Sequence, residues 1–298
     1  MAWRQLQFRS CCWWRSSLAF VSIYINFANL FPLRAFVVRH LQLTPQQIAV
    51  PGIMGGMGPL AHLEFEQRLI QKNLERGNSS DQDHPVWLLV NASNIPDRTK
   101  SIVGETADCV PWLLHYGHLL ERSGVDFILV TCNTAHAFYD RVQPQLNVPW
   151  IHLMEQTVQF IRVAHPQVRR VGVLATDGTL RTELYTRSLT QTGLIPIVPM
   201  LGSGVQLQIM QSIYHPNWGI KNAGIWISEQ AIQALQQSIE WLQQQGAELV
   251  IAGCTELSVA LTRMETVPLP WVDPLEVAAS LTLDLAFGRR SLQSIWAA

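Results

Sequence analysis

The chain reads as an α/β protein built from two pseudo-symmetric doubly wound domains, with mainly parallel sheets and an active site in the cleft between them. Three observations predict this. From Gln47 onward, short apolar runs of strand type alternate with longer amphipathic segments of helical period, the signature of βα units feeding parallel sheets. The cycle then restarts: Gly52 precedes Cys132 by about 80 positions and Gly172 precedes Cys254 by about 82, so the chain looks internally duplicated. Finally, two apolar runs end in a thiol, which is where an open α/β sheet presents reactive groups at its carboxyl edge.

The first strand is the run Ile48-Ala49-Val50-Pro51-Gly52-Ile53-Met54, followed by a Gly-rich turn and a helical pattern from Leu60 to Glu75. Pro85 to Val90 reads as the second strand, Asn91 to Lys100 as a polar loop, and Glu105 to Ser123 as an amphipathic helix. Asp126 to Val130 is the third strand, with a helix expected from Thr134 to Gln143. After Pro149-Trp150-Ile151 and a helix through Arg162, the second half opens with the strand Arg170 to Ala175. A helix from Thr182 to Thr192, a strand Ile195 to Met200, a helix Ser228 to Gln245 and a strand Glu248 to Ala252 complete the pattern. The expected partition is an N-terminal extension over 1-47, a first domain over 48-154 plus 272-298, and a second over 155-271.

The extension differs in kind. No Asp or Glu occurs before Glu64, whereas Arg4, Arg9, Arg15, Arg34 and Arg39 punctuate it, and an uncharged stretch runs from Ser16 to Leu33. Three readings compete: a membrane anchor or uncleaved signal, an organelle transit peptide, and a dispensable leader ahead of the true first strand. The expected location is the cytoplasm, with membrane tethering or organelle targeting as alternatives tied to residues 1-47.

A formal net charge of -1 gives no field for nucleic acid, and 48% hydrophobic residues supply an ample core, so small-molecule chemistry is the favoured class. The five cysteines, Cys11, Cys12, Cys109, Cys132 and Cys254, form no disulfide framework and no Cys-x-x-Cys, which points to a reducing compartment. Cys132 with His136 supplies too few ligands for a structural zinc site.

Gly55-Gly56-Met57-Gly58-Pro59 lies between strand and helix, and its glycines suit backbone amides converging on a small anion such as a carboxylate. Gly56-x-Gly58-x-x-Ala61 is a near match to a dinucleotide fingerprint, but Pro59 removes an amide donor and no acidic residue ends a second strand at the expected distance. Ala175-Thr176-Asp177-Gly178-Thr179 holds the equivalent place in the second half. A thiol beside a helix start, hydroxyl donors or cations can have its pKa lowered enough to act as a base. Cys132 and Cys254, in matching contexts of a duplicated chain, are the candidates.

Together with Ile95-Pro96-Asp97-Arg98-Thr99, Thr131-Cys132-Asn133-Thr134-Ala135-His136, Gly219-Ile220-Lys221 and Gly253-Cys254-Thr255-Glu256-Leu257, these loops resemble, in order, the motifs of the aspartate/glutamate racemase family. The resemblance is strongest to the aspartate racemase branch, because glutamate racemases carry a His where Glu256 stands. It implies racemisation of aspartate or a close acidic amino acid, without metal, nucleotide or pyridoxal phosphate. Cys132 and Cys254 would be the two bases on opposite faces of the α-carbon. Arg98 and Lys221 would hold carboxylates, with Met57, Gly58, Asn133, Thr134, Thr176, Thr179 and Thr255 as further substrate contacts. Asp97, His136 and Glu256 would tune or orient these groups.

Two other readings stay open. One is a decarboxylase or cis-trans isomerase of small dicarboxylates, the other a noncatalytic dicarboxylate-binding protein. A pyridoxal enzyme would need a Schiff-base lysine, and Lys72, Lys100 and Lys221 are the only lysines, none in a persuasive setting. The expected partner is therefore a small acidic amino acid and not nucleic acid. Membrane contact is confined to one reading of the extension, and a homodimer is the one assembly weighed.

Overall fold

The computed structural model describes residues 43–44, 46–222 and 226–296. Nearly all of the extension, with its uncharged stretch and Cys11 and Cys12, lies outside the described residues. Among those described, no helix is long and apolar enough to cross a membrane.

Among the described residues two all-parallel sheets form, one from each half. In the first, β1 (Pro51–Gly55) lies between β2 (Leu88–Asn91) and β3 (Phe127–Val130), and Ile128 makes a further parallel bridge to Trp150. In the second, β4 (Arg170–Ala175) lies between β5 (Ile195–Ile197) and β6 (Leu249–Gly253), and β7 (Trp271–Val272) pairs with β6. With the Trp150 bridge in the place of β7, the two orders are the same, so the sequence duplication is a duplication of topology. Pro51 is tolerated in a central strand because it is that strand's first residue.

Alternation along the strands sorts side chains into three cores. Ile53, Phe127 and Leu129 share one cluster with Val171, Val173, Leu249 and Ile251, so one core joins the two sheets. The opposite faces, Met54, Ile128 and Val130 in one half and Leu174, Val250 and Ala252 in the other, feed separate outer clusters. The helix Pro274–Ala286, which follows β7, packs on the helix Pro59–Glu75 of the first half and on Leu153–Ala164. The carboxyl edges of the sheets meet in symmetric pairs. Pro59–Glu75, after β1, touches Thr255–Thr262, after β6, and Asp177–Arg181, after β4, touches the 3-10 segment Thr134–Phe138, after β3.

Several expected elements differ. The loop expected over Asn91 to Lys100 leads into a short helix, Arg98–Ile102, because Asp97 accepts the Lys100 amide at 2.9 Å and caps it. The next helix starts late, at Val110, with a proline in its first turn. Thr134 to Gln143 is no single helix but the 3-10 segment, a turn of α-helix Tyr139–Val142 and a second 3-10 segment at Gln143–Gln145. The helix expected from Thr182 starts at Leu184, because Glu183 takes left-handed backbone (φ 55) and separates it from Asp177–Arg181.

Candidate active site

Both thiols stand at matching sheet edges. Cys132 follows β3 and Cys254 follows β6, each 5% exposed and each unpaired. Their local settings differ from the expectation of two helix starts. Cys254 is the N-cap of Thr255–Thr262 in extended conformation, whereas Cys132 lies one residue before the N-cap of a 3-10 segment too short to lend much of a dipole.

The two halves are stitched together at this edge by hydroxyls. Thr134 Oγ1 lies 2.9 Å from Thr176 Oγ1 and 3.1 Å from Thr179 Oγ1, and the latter two are 3.2 Å apart. Thr176 also caps Asp177–Arg181 by accepting the Thr179 amide at 3.3 Å. Such an approach needs a glycine at 178, where a Cβ would come within 2.8 Å of both Thr134 Cγ2 and Thr99 Oγ1.

The cations converge on one carbonyl. Arg98, 9% exposed, donates from Nη1 to the Ile95 and Pro96 carbonyls at 3.2 and 2.9 Å, and from Nη2 to the Met57 carbonyl at 3.1 Å. Lys221 Nζ donates to the same Met57 carbonyl at 3.4 Å and pairs with Glu256 Oε1. The Gly-rich loop thus offers an acceptor to two cations, in contrast to the anion cradle expected from its glycines. One of its amides, Gly56 N–H, is moreover taken by His62 Nδ1 at 3.0 Å. Gly58 lets Lys221 and Glu256 close over the loop, since a Cβ there would sit 3.1 Å from Glu256 Oε1. Among the described residues, Arg98 Nε is buried without a partner, as are Thr99 Oγ1 and Asn133 Nδ2. Three potential donors therefore wait in or beside the site, an arrangement suited to an anionic group.

Glu256 is the electrostatic hinge of the second half. Its Oε2 accepts from Cys254 Sγ at 3.0 Å and from Thr255 Oγ1 at 3.3 Å, so the Thr255 hydroxyl is engaged with the carboxylate. Burial works to raise the Glu256 pKa, but the charge and hydrogen bond of Lys221, with the Cys254 thiol, hold it below the usual carboxylate range. The Cys254 thiol is pushed well up, first by burial and then by the Glu256 charge, with Lys221 opposing. This overturns the expectation of a pKa lowered by the helix start: next to a buried carboxylate, Cys254 rests as a thiol that donates. Burial works to lower the Lys221 pKa, but the charge and hydrogen bond of Glu256 outweigh it and keep the ammonium charged. Arg98 is likewise raised against burial, chiefly by Cys132.

Two expected tuning residues make their hydrogen bonds to other groups. Asp97 caps its own helix and acts on Arg98 by its charge, which helps to raise the Arg98 pKa; the guanidinium is oriented by the three backbone carbonyls. His136 hydrogen-bonds groups other than the Cys132 thiol. Its Nδ1 lies 2.9 Å from the Cys132 carbonyl, and its Nε2 accepts from Trp150 Nε1 at 3.1 Å and from the Leu153 amide at 3.3 Å. Burial pushes its pKa down to about 3, so it is a neutral imidazole that anchors the Cys132 main chain.

Sequence reasoning missed Tyr214 and Tyr185. Lys221 Nζ lies 5.7 Å from the centre of the Tyr214 ring, whose phenol is raised by burial and then by Cys254. Tyr185 donates to Asn133 Oδ1 at 2.6 Å. Neither belongs to a motif, and no spacing rule brings residue 185 to residue 133.

With this geometry in place, the comparisons with known proteins fall into line. The model of the Asp/Glu/hydantoin racemase family matches residues 54–282, and the chain belongs to that family. It is 28% identical over 233 residues to the broad specificity amino-acid racemase RacX of Bacillus subtilis, covering 78% of this chain and 96% of that one. A glutamate racemase of Deinococcus radiodurans is 30% identical over 137 residues, 46% of this chain and 43% of that protein. Among solved structures, the aspartate racemase of Picrophilus torridus superposes with a TM-score of 0.68 at 25% identity, covering 81% of this chain and 95% of that one. The protein is thus an isomerase of the racemase class.

Proposed function

We propose that the protein interconverts the enantiomers of aspartate, or of a close acidic amino acid, by a two-base proton transfer between Cys132 and Cys254. Support comes above all from one observation: equivalent strands of two like-ordered sheets are each followed by a buried thiol at the carboxyl edge, where Arg98 and Lys221 converge on the Met57 carbonyl. Two bases on opposed faces are what inversion at a single carbon requires. In one direction Cys132, as thiolate, takes the α-proton. The carbanionic charge passes into the α-carboxylate, held by the free Nε of Arg98 and by Asn133 Nδ2. Cys254 Sγ–H then gives its proton to the other face and is left as thiolate, in the field of Lys221. Each turnover exchanges the protonation states of the two thiols, and the exchanged enzyme is the form competent for the opposite enantiomer. The thiol character of Cys254 makes it the donor in the resting state.

A second reading, with side chains beyond the acidic ones, is favoured by two features of the site. Lys221 is already neutralised by Glu256. A cavity of about 720 Å³ adjoins the site, lined by Asp97 and Thr99 on either side of Arg98, by Asp177 next to Thr176, and by Tyr214. The broad specificity in the name of the Bacillus subtilis relative fits such a space.

The test is turnover of a panel of amino acids in deuterated water, followed by chiral chromatography and mass spectrometry. Two-base racemisation places deuterium at the α-carbon of the product enantiomer, and Cys132→Ser or Cys254→Ser lowers turnover by roughly 10²-fold to 10⁴-fold. Deuterium-free product, or either variant retaining most of the wild-type rate, would sink the mechanism. The panel decides between the two substrate readings.

A further inference from the structure

We propose that Tyr185 is a positioning residue of the racemase site: from the second half it fixes the Asn133 amide of the first, so that Nδ2 faces the substrate carboxylate. This inference rests on the racemase function proposed above. Tyr185 is 2% exposed and lies in the first turn of Leu184–Gln191, directly after the left-handed Glu183 that ends the preceding helix and re-aims the chain. Its hydroxyl donates to Asn133 Oδ1 at 2.6 Å. Thr157, the phenol's other polar neighbour, already donates from Oγ1 to the Leu153 carbonyl at 2.7 Å.

Asn133 is 2% exposed, and its Nδ2 is buried with no partner among the described residues. A buried amide nitrogen left unpaired is costly unless something outside the chain completes it. The residue stands directly after Cys132, so a ligand bound to that thiol is in place to do so. An amide that presented its oxygen instead would repel a carboxylate. The phenol decides which end faces inward, and burial keeps it protonated, hence a donor, well above its ordinary range.

The same ring supports the other arm. A Cβ on Gly253 would come within 3.1 Å of Tyr185 Cε2, so the ring lies against the last residue of β6, next to Cys254. One side chain thus touches the neighbours of both thiols. The bland alternative is a core tyrosine whose hydroxyl merely found a partner.

Tyr185→Phe removes only the hydroxyl and separates the two. Positioning predicts a kcat/KM lower by roughly 10-fold or more, through a higher KM and a lower kcat alike, because a hydrogen bond to the carboxylate in which the charge develops is lost, and a melting temperature lower by about 2 to 6 °C for the Asn133 Oδ1 left unpaired. In an Asn133→Ala background the same change should add almost nothing. A Tyr185→Phe variant with unchanged kcat/KM, or one whose effect adds in full to that of Asn133→Ala, overturns the inference. The Asn133 side-chain ¹⁵N resonance, assigned by its loss in Asn133→Ala, gives a readout independent of turnover. It should shift and broaden in Tyr185→Phe, and an unmoved resonance also overturns the inference. If the wild-type protein turns over no amino acid, the proposed function falls, while this resonance still judges the role of Tyr185.

Discussion

Breaking the Lys221–Glu256 pair from either side should destabilise the protein unequally, and breaking it from both sides should cost less than either single change. The Glu256 side chain is 4% exposed and that of Lys221 is 19% exposed. Removing one partner of a buried pair strands the other charge, at roughly 3 to 5 kcal/mol. Glu256→Gln leaves an ammonium with some solvent and the Met57 carbonyl, so a loss near the lower end, about 3 kcal/mol, is expected. Lys221→Met leaves the more deeply buried carboxylate with neutral donors such as Cys254 and Thr255 in place of a cation, for a loss of about 5 kcal/mol. The double variant strands no charge and should lose about 2 kcal/mol. At roughly 2 °C per kcal/mol for a chain of this size, calorimetry should record melting temperatures lower by about 6, 10 and 4 °C.

The pH dependence of the pair follows from the same shifts. Glu256 is held below its ordinary 4.5, so its contribution is present above that pH and is lost as the pH falls through the lower folded value. Lys221 is raised above 10.5, so its contribution is complete below that pH and is lost as the pH rises through the higher folded value. The difference between wild type and double variant should therefore be flat from about pH 5 to about pH 10 and decline on both sides. Single losses that simply add in the double variant, or a Lys221→Met loss no greater than that of Glu256→Gln, would refute the reasoning.

Arg98→Lys should lower kcat/KM by roughly 10-fold to 100-fold, because an ammonium cannot bind the Ile95, Pro96 and Met57 carbonyls while presenting an Nε–H to substrate; steady-state kinetics with near wild-type values would contradict this. Because His136 is neutral with a pKa of about 3, its part of the stability should fall by about 1.4 kcal/mol per pH unit from about 6.5 down to about 3, beside the parts of His62 and His152, and His136→Gln should reduce the total slope by that amount. An imidazole titrating near its ordinary value by NMR would count against it. Gly178→Ala places a methyl 2.8 Å from Thr134 Cγ2 and Thr99 Oγ1, so it should force the two edges apart and cost about 1 to 3 kcal/mol together with activity. Wild-type melting and turnover in that variant would show that the hydroxyl contacts across the edges are loose.

Much of this was open to reading along the chain, because it depends on local order. The runs ending at Val130 and Gly253 are strands because they are short, largely apolar and bounded by polar turns, and the thiols that follow inherit the sheet edge. Asp97 and Glu256 look alike in sequence, as acids beside a motif residue, yet one caps a helix and the other holds a lysine and a thiol. His136 was legible as a neighbour of Cys132 but not as an anchor of the main chain. A 3-10 segment sets its direction, and the Trp150 and Leu153 groups that receive it come from a later part of the chain.

By itself the sequence determined the α/β class, the internal repeat, the pair of strand-end cysteines and the loops that flank them, all consequences of periodicity and of residue types placed next to one another. The tertiary structure decided the electrostatic character of those groups. Only burial beside Glu256 turns Cys254 into a donor thiol, and only the meeting of Met57 with Arg98 and Lys221 makes a glycine-rich loop an acceptor of cations. The physical reason is that a pKa or a hydrogen bond depends on what arrives from distant parts of the chain and on how much water is excluded, and neither is encoded in any local stretch.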